Sequence, residues 1–334
     1  MRIALKALVV LLVLGLTAAF AGYRYWQLQL EAPIAVDEPV LFEVAPGAGF
    51  NRVVDQLDDS GVLESGWAFK LLTRLEPGRV PSLKPGEYRL EPDMSGLDVL
   101  DRMANAEVVT YSVTVPEGWT FAQMRSALNS AEKLAHDTED MSDDELMALL
   151  GREGEHPEGR FFPDTYVYHK GVSDQQILSQ ALRRMDSVLA DLWESRDEDL
   201  PYDTPYEALI MASLVERETG APEERDEIAG VFKRRLERGM RLQTDPTVIY
   251  GMGDRYQGNI TRADLREATD YNTYVIEGMP PTPIALPGRA ALEAAVHPAE
   301  GDTLYFVSRG DGTHHFSRTL REHNNAVNKY ILNR

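Results

Sequence analysis

The sequence predicts an α+β protein carried behind one N-terminal membrane helix. Three observations point there. A single apolar stretch stands near the start, short alternating strands recur ahead of Pro/Gly turns, and long runs with helical apolar spacing fill the second half. At 334 residues the chain is long enough for one large domain or two to three small ones, each with its own core. Lys+Arg 34 against Asp+Glu 54 leaves a net charge of -20, which repels a nucleic-acid backbone and removes nucleic acid from the list of partners. With Cys 0, a disulfide framework, thiolate zinc sites and a cysteine nucleophile are excluded.

The N-terminus reads "MRIALKALVVLLVLGLTAAFAGYRYWQ": Arg2 and Lys6, an apolar stretch from Ala7 to Gly22, then Tyr23, Arg24, Tyr25 and Trp26. Such a segment is a signal peptide or a short membrane anchor. Ala19-Phe20-Ala21 is an A-x-A cleavage pattern. The anchor reading is favoured, with residues 1–26 as the anchor, Tyr23, Tyr25 and Trp26 as interfacial aromatics, and Lys6 snorkelling so that Ile3 to Tyr23 spans. Both readings export the rest of the chain and keep Arg2 and Lys6 on the cytoplasmic side, although Arg24 weakens the charge contrast. Residues 27–40 carry two prolines and no period, so they are expected to form a tether.

A strand/helix module is expected over 41–110 and a second over 111–170. "VLFEVAPGAGFNRVVDQLDDSGVL" and "YSVTVPEGWTFAQMRSALNSAEKL" share a short strand, a Pro/Gly turn and a helix, with Val53, Val54 and Leu57 or Met124 and Leu128 facing inward. Between them, "KPGEYRLEPDMSGLDVLDRMANAEV" repeats the recipe with Tyr88 and Leu90 on a strand and Leu97, Leu100 and Met103 on a helix. The acidic stretch that follows holds one short helix near 143–150. In "EGRFFPDTYVYHKG", Phe161, Phe162, Tyr166 and Tyr168 suit either a core or sugar-ring stacking, and Glu158 and Asp164 are its polar residues of interest.

The region 171–334 opens with an amphipathic helix in which Ser173 and Gln176 suggest a capping box and Leu178, Leu182, Met185, Leu189 and Leu192 form one stripe. "TPYEALIMASLVERETGAP" then predicts a helix buried almost all round and stopping by Gly220. It ends in Glu-Arg-Glu. Glu216 and Glu218 are two positions apart, so they point to opposite sides of the helix and cannot share a task. Glu218 lies over Met211, Leu214 and Val215 and sits in the last turn, where desolvation and the negative end of the macrodipole both raise a carboxyl pKa. A protonated glutamate suits general acid work. The competing readings are a surface carboxylate paired with an arginine for Glu218, and a structural pair with an arginine for Glu216.

"ASLVERETG", "ERDEIAGVFKRRLERGMRLQTDPTVIYGMG", "YNTYVIEGMPPTPIALPG" and "AAVHPAEGDTLYFVSRGDGTHHFS", preceded by "KPGEYRL", "VPEGWT" and "EGRFFPDTY", together resemble the ordered signature blocks of the endolytic murein transglycosylase (YceG-like) family. The similarity runs from about Leu41 to Tyr330. It implies an inner-membrane helix, a small LysM-like module and a mixed α/β catalytic domain on the periplasmic side, with 171–334 as the catalytic region. The second glutamate of the family's E-x-E pair is catalytic and falls on Glu218.

The implied reaction cuts the MurNAc-GlcNAc bond inside peptidoglycan strands and leaves 1,6-anhydro ends. The muramic 6-hydroxyl attacks its own ring, so proximity replaces the second carboxylate that hydrolysing glycosidases use. One glutamate then serves as acid toward the leaving oxygen and base toward the 6-hydroxyl. Around it, Gln243, Thr244, Tyr250, Asn272, Tyr274 and His314 are the expected glycan-binding residues, the last by alignment with the family's histidine. Asp245 before Pro246 reads as an N-cap with proline at N1. The Pro/Gly-rich "EGMPPTPIALPG" is expected to wall the cleft. Lys233, Arg234, Arg235, Arg238 and Arg241 form either a basic rim for stem-peptide carboxylates or a solvated face paired with Glu223, Glu224 and Asp226.

No cofactor and no metal are expected; His314 and His315 point to opposite faces of a strand. The partners implied are peptidoglycan strands, the membrane and peptidoglycan synthases, beside which the family role is to terminate nascent strands. The opposing readings are a non-catalytic peptidoglycan-binding scaffold and a water-using muramidase that recruits Asp245 or Glu216.

Overall fold

The computed structural model describes residues 2–332. The chain divides into two compact units, Met1–Tyr111 with Tyr168–Gly171, and Ser112–Val167 with Val172–Arg334.

The first unit begins with α1 (Arg2–Glu31), long and apolar enough to cross a membrane. Its side chains stay exposed through Tyr25, after which Trp26 and Leu30 turn into a core. Trp26 is therefore not a lipid-facing aromatic as expected: its indole Nε1 donates to the Ala68 carbonyl at 2.8 Å. The expected tether at 27–40 also takes another form. Residues 27–31 complete α1, Ile34 is buried, and the amides of Ile34 and Ala35 donate to the Met94 and Val62 carbonyls at 2.8 and 2.9 Å.

Then come β1 (Val40–Val44), α2 (Phe50–Asp59), α3 (Gly66–Leu75), β2 (Gly86–Leu90) and α4 (Gly96–Ala104). β1 and β2 pair antiparallel from Val40 opposite Leu90 to Val44 opposite Gly86. The apolar residues expected to face inward on α2 do so: Val53, Val54 and Leu57 are fully buried with Phe69, Leu72, Tyr88 and Leu100. Ser95 caps α4 in a reciprocal box with Asp98. Gly96 has no room for a side chain, because a Cβ there would stand 2.3 Å from the Phe69 ring.

β3 (Thr110–Thr114) pairs with β4 (Thr165–His169), and the division between units falls within both strands. The second unit contains α5 (Phe121–Asn129), α6 (Asp143–Leu149), α7 (Asp174–Glu194), α8 (Pro205–Glu218), α9 (Arg225–Glu237), α10 (Asp245–Met252) and α11 (Arg289–Val296). The antiparallel hairpin β5 (Tyr305–Ser308) and β6 (His314–Ser317) follows, then α12 (Leu320–Tyr330). The stripe expected on α7 is buried throughout. Its cap differs, since Ser173 accepts from the Gln175 amide and forms no box with Gln176. The adjacent Asp174 carboxylate is occupied by the Asp137 and Thr138 amides.

α8 is the centre of this unit, packed by α7, α9, α10 and α11. Thr204 and Glu207 form its capping box with Pro205 at the first turn, and Ala208 through Val215 are all buried. Each large apolar side chain withdrawn from water here contributes about 1.5–3 kcal/mol. Ser213, the polar residue in that run, is satisfied: it donates to the Ile210 carbonyl at 2.7 Å and accepts the Ile284 amide at 3.0 Å. Widening the helix with Ala212→Leu would overpack a fully buried position, at a cost of about 1–3 kcal/mol.

Candidate active site

α8 stops at Glu218 because Thr219 turns to extended backbone (φ -139°), with Gly220 and Pro222 beyond. The helix thus delivers its last side chain to a cleft of about 510 Å³, lined by Glu218, Arg235, Gln243, Asp245, Tyr274, Phe306 and His314 among others. Burial pushes the Glu218 carboxyl up to about 7, and the charge of Asp245 adds to it. The Thr244 hydroxyl against the carboxyl and the Arg235 guanidinium pull the other way. Glu218 therefore keeps its proton to higher pH than an ordinary carboxyl and opens on space large enough for sugar rings.

Glu216 faces elsewhere. Its Oε2 accepts the Gly288 amide at 3.0 Å, and among the described residues it forms no ion pair with an arginine, contrary to expectation. A side chain at Gly288 would displace the exposed Glu117 carboxylate, which lies 1.9 Å from where a Cβ would stand.

Three of the expected glycan-binding residues line the Glu218 cleft, and a fourth, Thr244, is buried behind it. Gln243 stands exposed at its lip in left-handed backbone (φ 51°), a strained conformation for this residue type. Thr244 is buried behind Glu218. The Tyr274 hydroxyl donates to Asp245 Oδ1 at 2.6 Å, and burial with that carboxylate raises its pKa. His314 is gripped by Glu224, whose two oxygens take the His314 backbone amide and ring Nδ1, each at 2.8 Å. With Nδ1 held as a donor, Nε2 is the nitrogen left to meet a ligand.

The other two lie outside this cleft. Asn272 is buried, with its amide donating to the Asp264 and Glu267 carbonyls and its Oδ1 accepting the Tyr274 amide. It organises the loop that presents Tyr274. Tyr250 lines a second cavity of about 780 Å³ with Glu158, Arg217, Tyr256 and Ile284. Its hydroxyl donates to Glu158 Oε2 at 3.1 Å, while Glu158 Oε1 accepts the Phe121 amide at 2.9 Å. Burial also pushes Glu158 up to about 7, against the pull of those donors. The larger cavity thus has a raised carboxyl of its own, but one whose oxygens are already engaged.

Several expectations need correction. Asp245 is not the cap of α10: Thr244 is, and Asp245 is the first helical residue, which frees its carboxylate for Tyr274. The Pro/Gly-rich loop borders the second cavity, through Ile284, not the Glu218 cleft. Of the basic cluster, Lys233, Arg234 and Arg235 are buried instead of forming a solvated face, Arg235 lines the Glu218 cleft, and Arg238 and Arg241 are exposed. Lys233 pairs with Asp199 at 2.6 Å and Glu237 at 3.2 Å, and the Arg234 and Arg235 guanidiniums brace the backbone carbonyls of Ala299 and Thr303, and of Leu304, Arg241 and Leu242. Phe161, Phe162, Tyr166 and Tyr168 are core, and Asp164 holds the turn through the Thr165 amide and Arg184.

Nothing local in the sequence pairs Glu224 with His314, a contact that spans 90 positions. Tyr305, Phe306 and His323 also line the cleft unannounced. Among the described residues no cluster of His, Asp or Glu is arranged to hold a metal ion.

Known proteins resemble this chain. An endolytic murein transglycosylase of Bacillus subtilis is 29% identical, with 87% of this chain and 85% of that protein covered. One from Streptococcus pneumoniae is 26% identical, with 98% of this chain and 65% of that protein covered. The crystal structure of a yceG-like protein from Listeria monocytogenes aligns with a TM-score of 0.56 and 30% identity, covering 87% of this chain and 100% of that one. The model of the YceG-like family matches residues 42–329, and the chain belongs to that family.

Proposed function

We propose that this protein is an endolytic murein transglycosylase, a lyase that cuts MurNAc-GlcNAc bonds within peptidoglycan strands and leaves 1,6-anhydroMurNAc ends. The observation that carries this is Glu218: a carboxyl raised to about 7 by burial, set at a helix end and open to a cleft of about 510 Å³. As acid it protonates the departing GlcNAc oxygen. The resulting carboxylate then takes the proton of the muramic 6-hydroxyl as that oxygen bonds to C1. The proton lost from O6 equals the one delivered to the leaving oxygen, so Glu218 returns to its starting state and no water is consumed.

Gln243, Tyr274 and His314 hold the glycan at this cleft, with Thr244 buried behind Glu218. Tyr274 and Phe306 offer ring faces, and His314 Nε2 offers an acceptor for a sugar hydroxyl or acetamide N–H. Residues 41–110 are the LysM-like module that the family resemblance implies. α1 anchors the chain in the inner membrane with its N-terminus cytoplasmic and the folded units periplasmic. That placement suits termination of strands as neighbouring synthases extend them.

The test is digestion of sacculi followed by mass spectrometry of the product ends. Anhydro ends are expected. Reducing ends would instead indicate a hydrolase that uses Asp245 to activate water, and no cleavage would leave a scaffold.

A further inference from the structure

The first unit carries an apolar surface that neither its core nor the proposed chemistry explains. α3 has two apolar faces. Ala68, Phe69 and Leu72 are buried in the core, whereas Trp67 and Leu75 are 48% and 57% exposed, with half-exposed Leu71 between them at helical spacing. One outward face of a ten-residue helix thus carries a tryptophan and two leucines.

The position of this face is fixed by α1. The Tyr25 ring stacks on Trp67 with centroids 6.4 Å apart, Trp26 Nε1 donates to the Ala68 carbonyl, and the Tyr23 hydroxyl reaches Glu76 Oε1 at 3.4 Å. All three contacts fall on residues 23–26 of α1. The apolar span Ile3 to Tyr23 rises about 31 Å at about 1.5 Å per residue, matching a hydrocarbon core of about 30 Å. Residues 23–26 then stand at the head-group level, and so does whatever packs on them. No hinge intervenes, because α1 is continuous and Trp26, Leu30 and Ile34 belong to the module's core.

We infer that the outward face of α3, Trp67 with Leu71 and Leu75, lies in the head-group layer of the leaflet from which α1 emerges. The module is thereby held against the membrane surface. This rests on the reading of α1 as a membrane anchor and goes beyond it. The occupant is lipid, not a protein, because the face continues the exposed apolar surface of α1 through Tyr25 and Leu28. Tryptophan and tyrosine favour this layer, where one edge of the ring is wet and the other apolar. Arg74, exposed in the last turn of α3, is a cation suited to lipid phosphates, whereas Arg79 is paired with Glu76 at 2.6 Å. The chain's net charge of -20 argues against recruitment by charge alone, but a tethered module needs none.

The test uses the full-length protein in lipid nanodiscs carrying bromine at shallow or deep acyl positions, and compares wild type with Trp67→Phe. Trp67 is exposed, so the variant folds. The emission component that disappears in Trp67→Phe is expected to be quenched by shallow bromines and less by deep ones. If that component is unquenched while flotation and alkali resistance show α1 inserted, the α3 inference is overturned and the anchor reading stands. If the protein fails to insert at all, both are overturned.

Discussion

Glu218, half-buried, and Glu158, buried, are two glutamates of one unit, each pushed up to about 7 by desolvation, and their surroundings differ. Glu158 has both oxygens engaged, one by the Phe121 amide at the start of α5 and the other by Tyr250. It ties the 157–160 loop to α5 and α10. Glu218 carries no comparable clamp and faces the cleft that also collects Gln243, Tyr274 and His314. A raised carboxyl pKa therefore locates desolvation, and access with uncommitted oxygens locates chemistry.

The largest effect that separates the two is on turnover. Glu218→Gln is expected to lower the rate of anhydro-end formation by about 10²–10⁴, the contribution of a positioned acid. Glu158→Gln should leave the rate per folded molecule near wild type, as read by product analysis normalised to folded fraction.

The next effect is on rate against pH. A general acid must be protonated, so kcat/KM is expected to be flat below about 7 and to fall tenfold per pH unit above it. A profile that instead rises through neutrality would assign Glu218 a different role.

Stability follows with the same sign for both residues. Each pKa is raised in the folded state, so the wild type holds its full stability below the unfolded glutamate pKa and loses it as pH rises through about 7. Replacing Glu158 by Gln removes a charged form disfavoured by burial. At pH 8 it is expected to stabilise by on the order of 2 kcal/mol, with the difference vanishing near pH 4, read by denaturant unfolding. Glu158→Ala strands the Phe121 amide and costs about 1–3 kcal/mol in acid, where the glutamate is protonated.

The smallest effects concern the cleft wall. Glu224→Gln weakens the grip on His314 and is expected to raise KM roughly tenfold, the equivalent of 1.4 kcal/mol. Tyr274→Phe removes one hydroxyl from Asp245 and should change kcat/KM by a few-fold, about 0.5–1.5 kcal/mol.

What could be read from the sequence follows how local each signal is. The strand-turn-helix repeats, the α7 stripe, the buried α8 and the β5–β6 hairpin each depend on residues within one or two turns, and each is where its spacing put it. Glu218 was legible for the same reason, because its apolar neighbours lie three, four and seven residues back on one helix. Glu224 with His314 was not, since it joins distant segments. The arginines of α9 misled because their charge suggested a surface, while their partners are carbonyls of the 299–304 segment and the 241–242 turn. Trp26 misled in the opposite way: an aromatic at the end of an apolar span belongs to an interface by pattern, yet here it is the first residue of a core.

The most direct test is a side-by-side digestion of peptidoglycan by wild type, Glu218→Gln and Glu158→Gln at equal folded concentration, with product ends identified by mass spectrometry. Anhydro ends should persist in Glu158→Gln and vanish in Glu218→Gln. Anhydro ends that survive in Glu218→Gln, or that vanish only in Glu158→Gln, would contradict the assignment of the chemistry to the carboxyl at the end of α8.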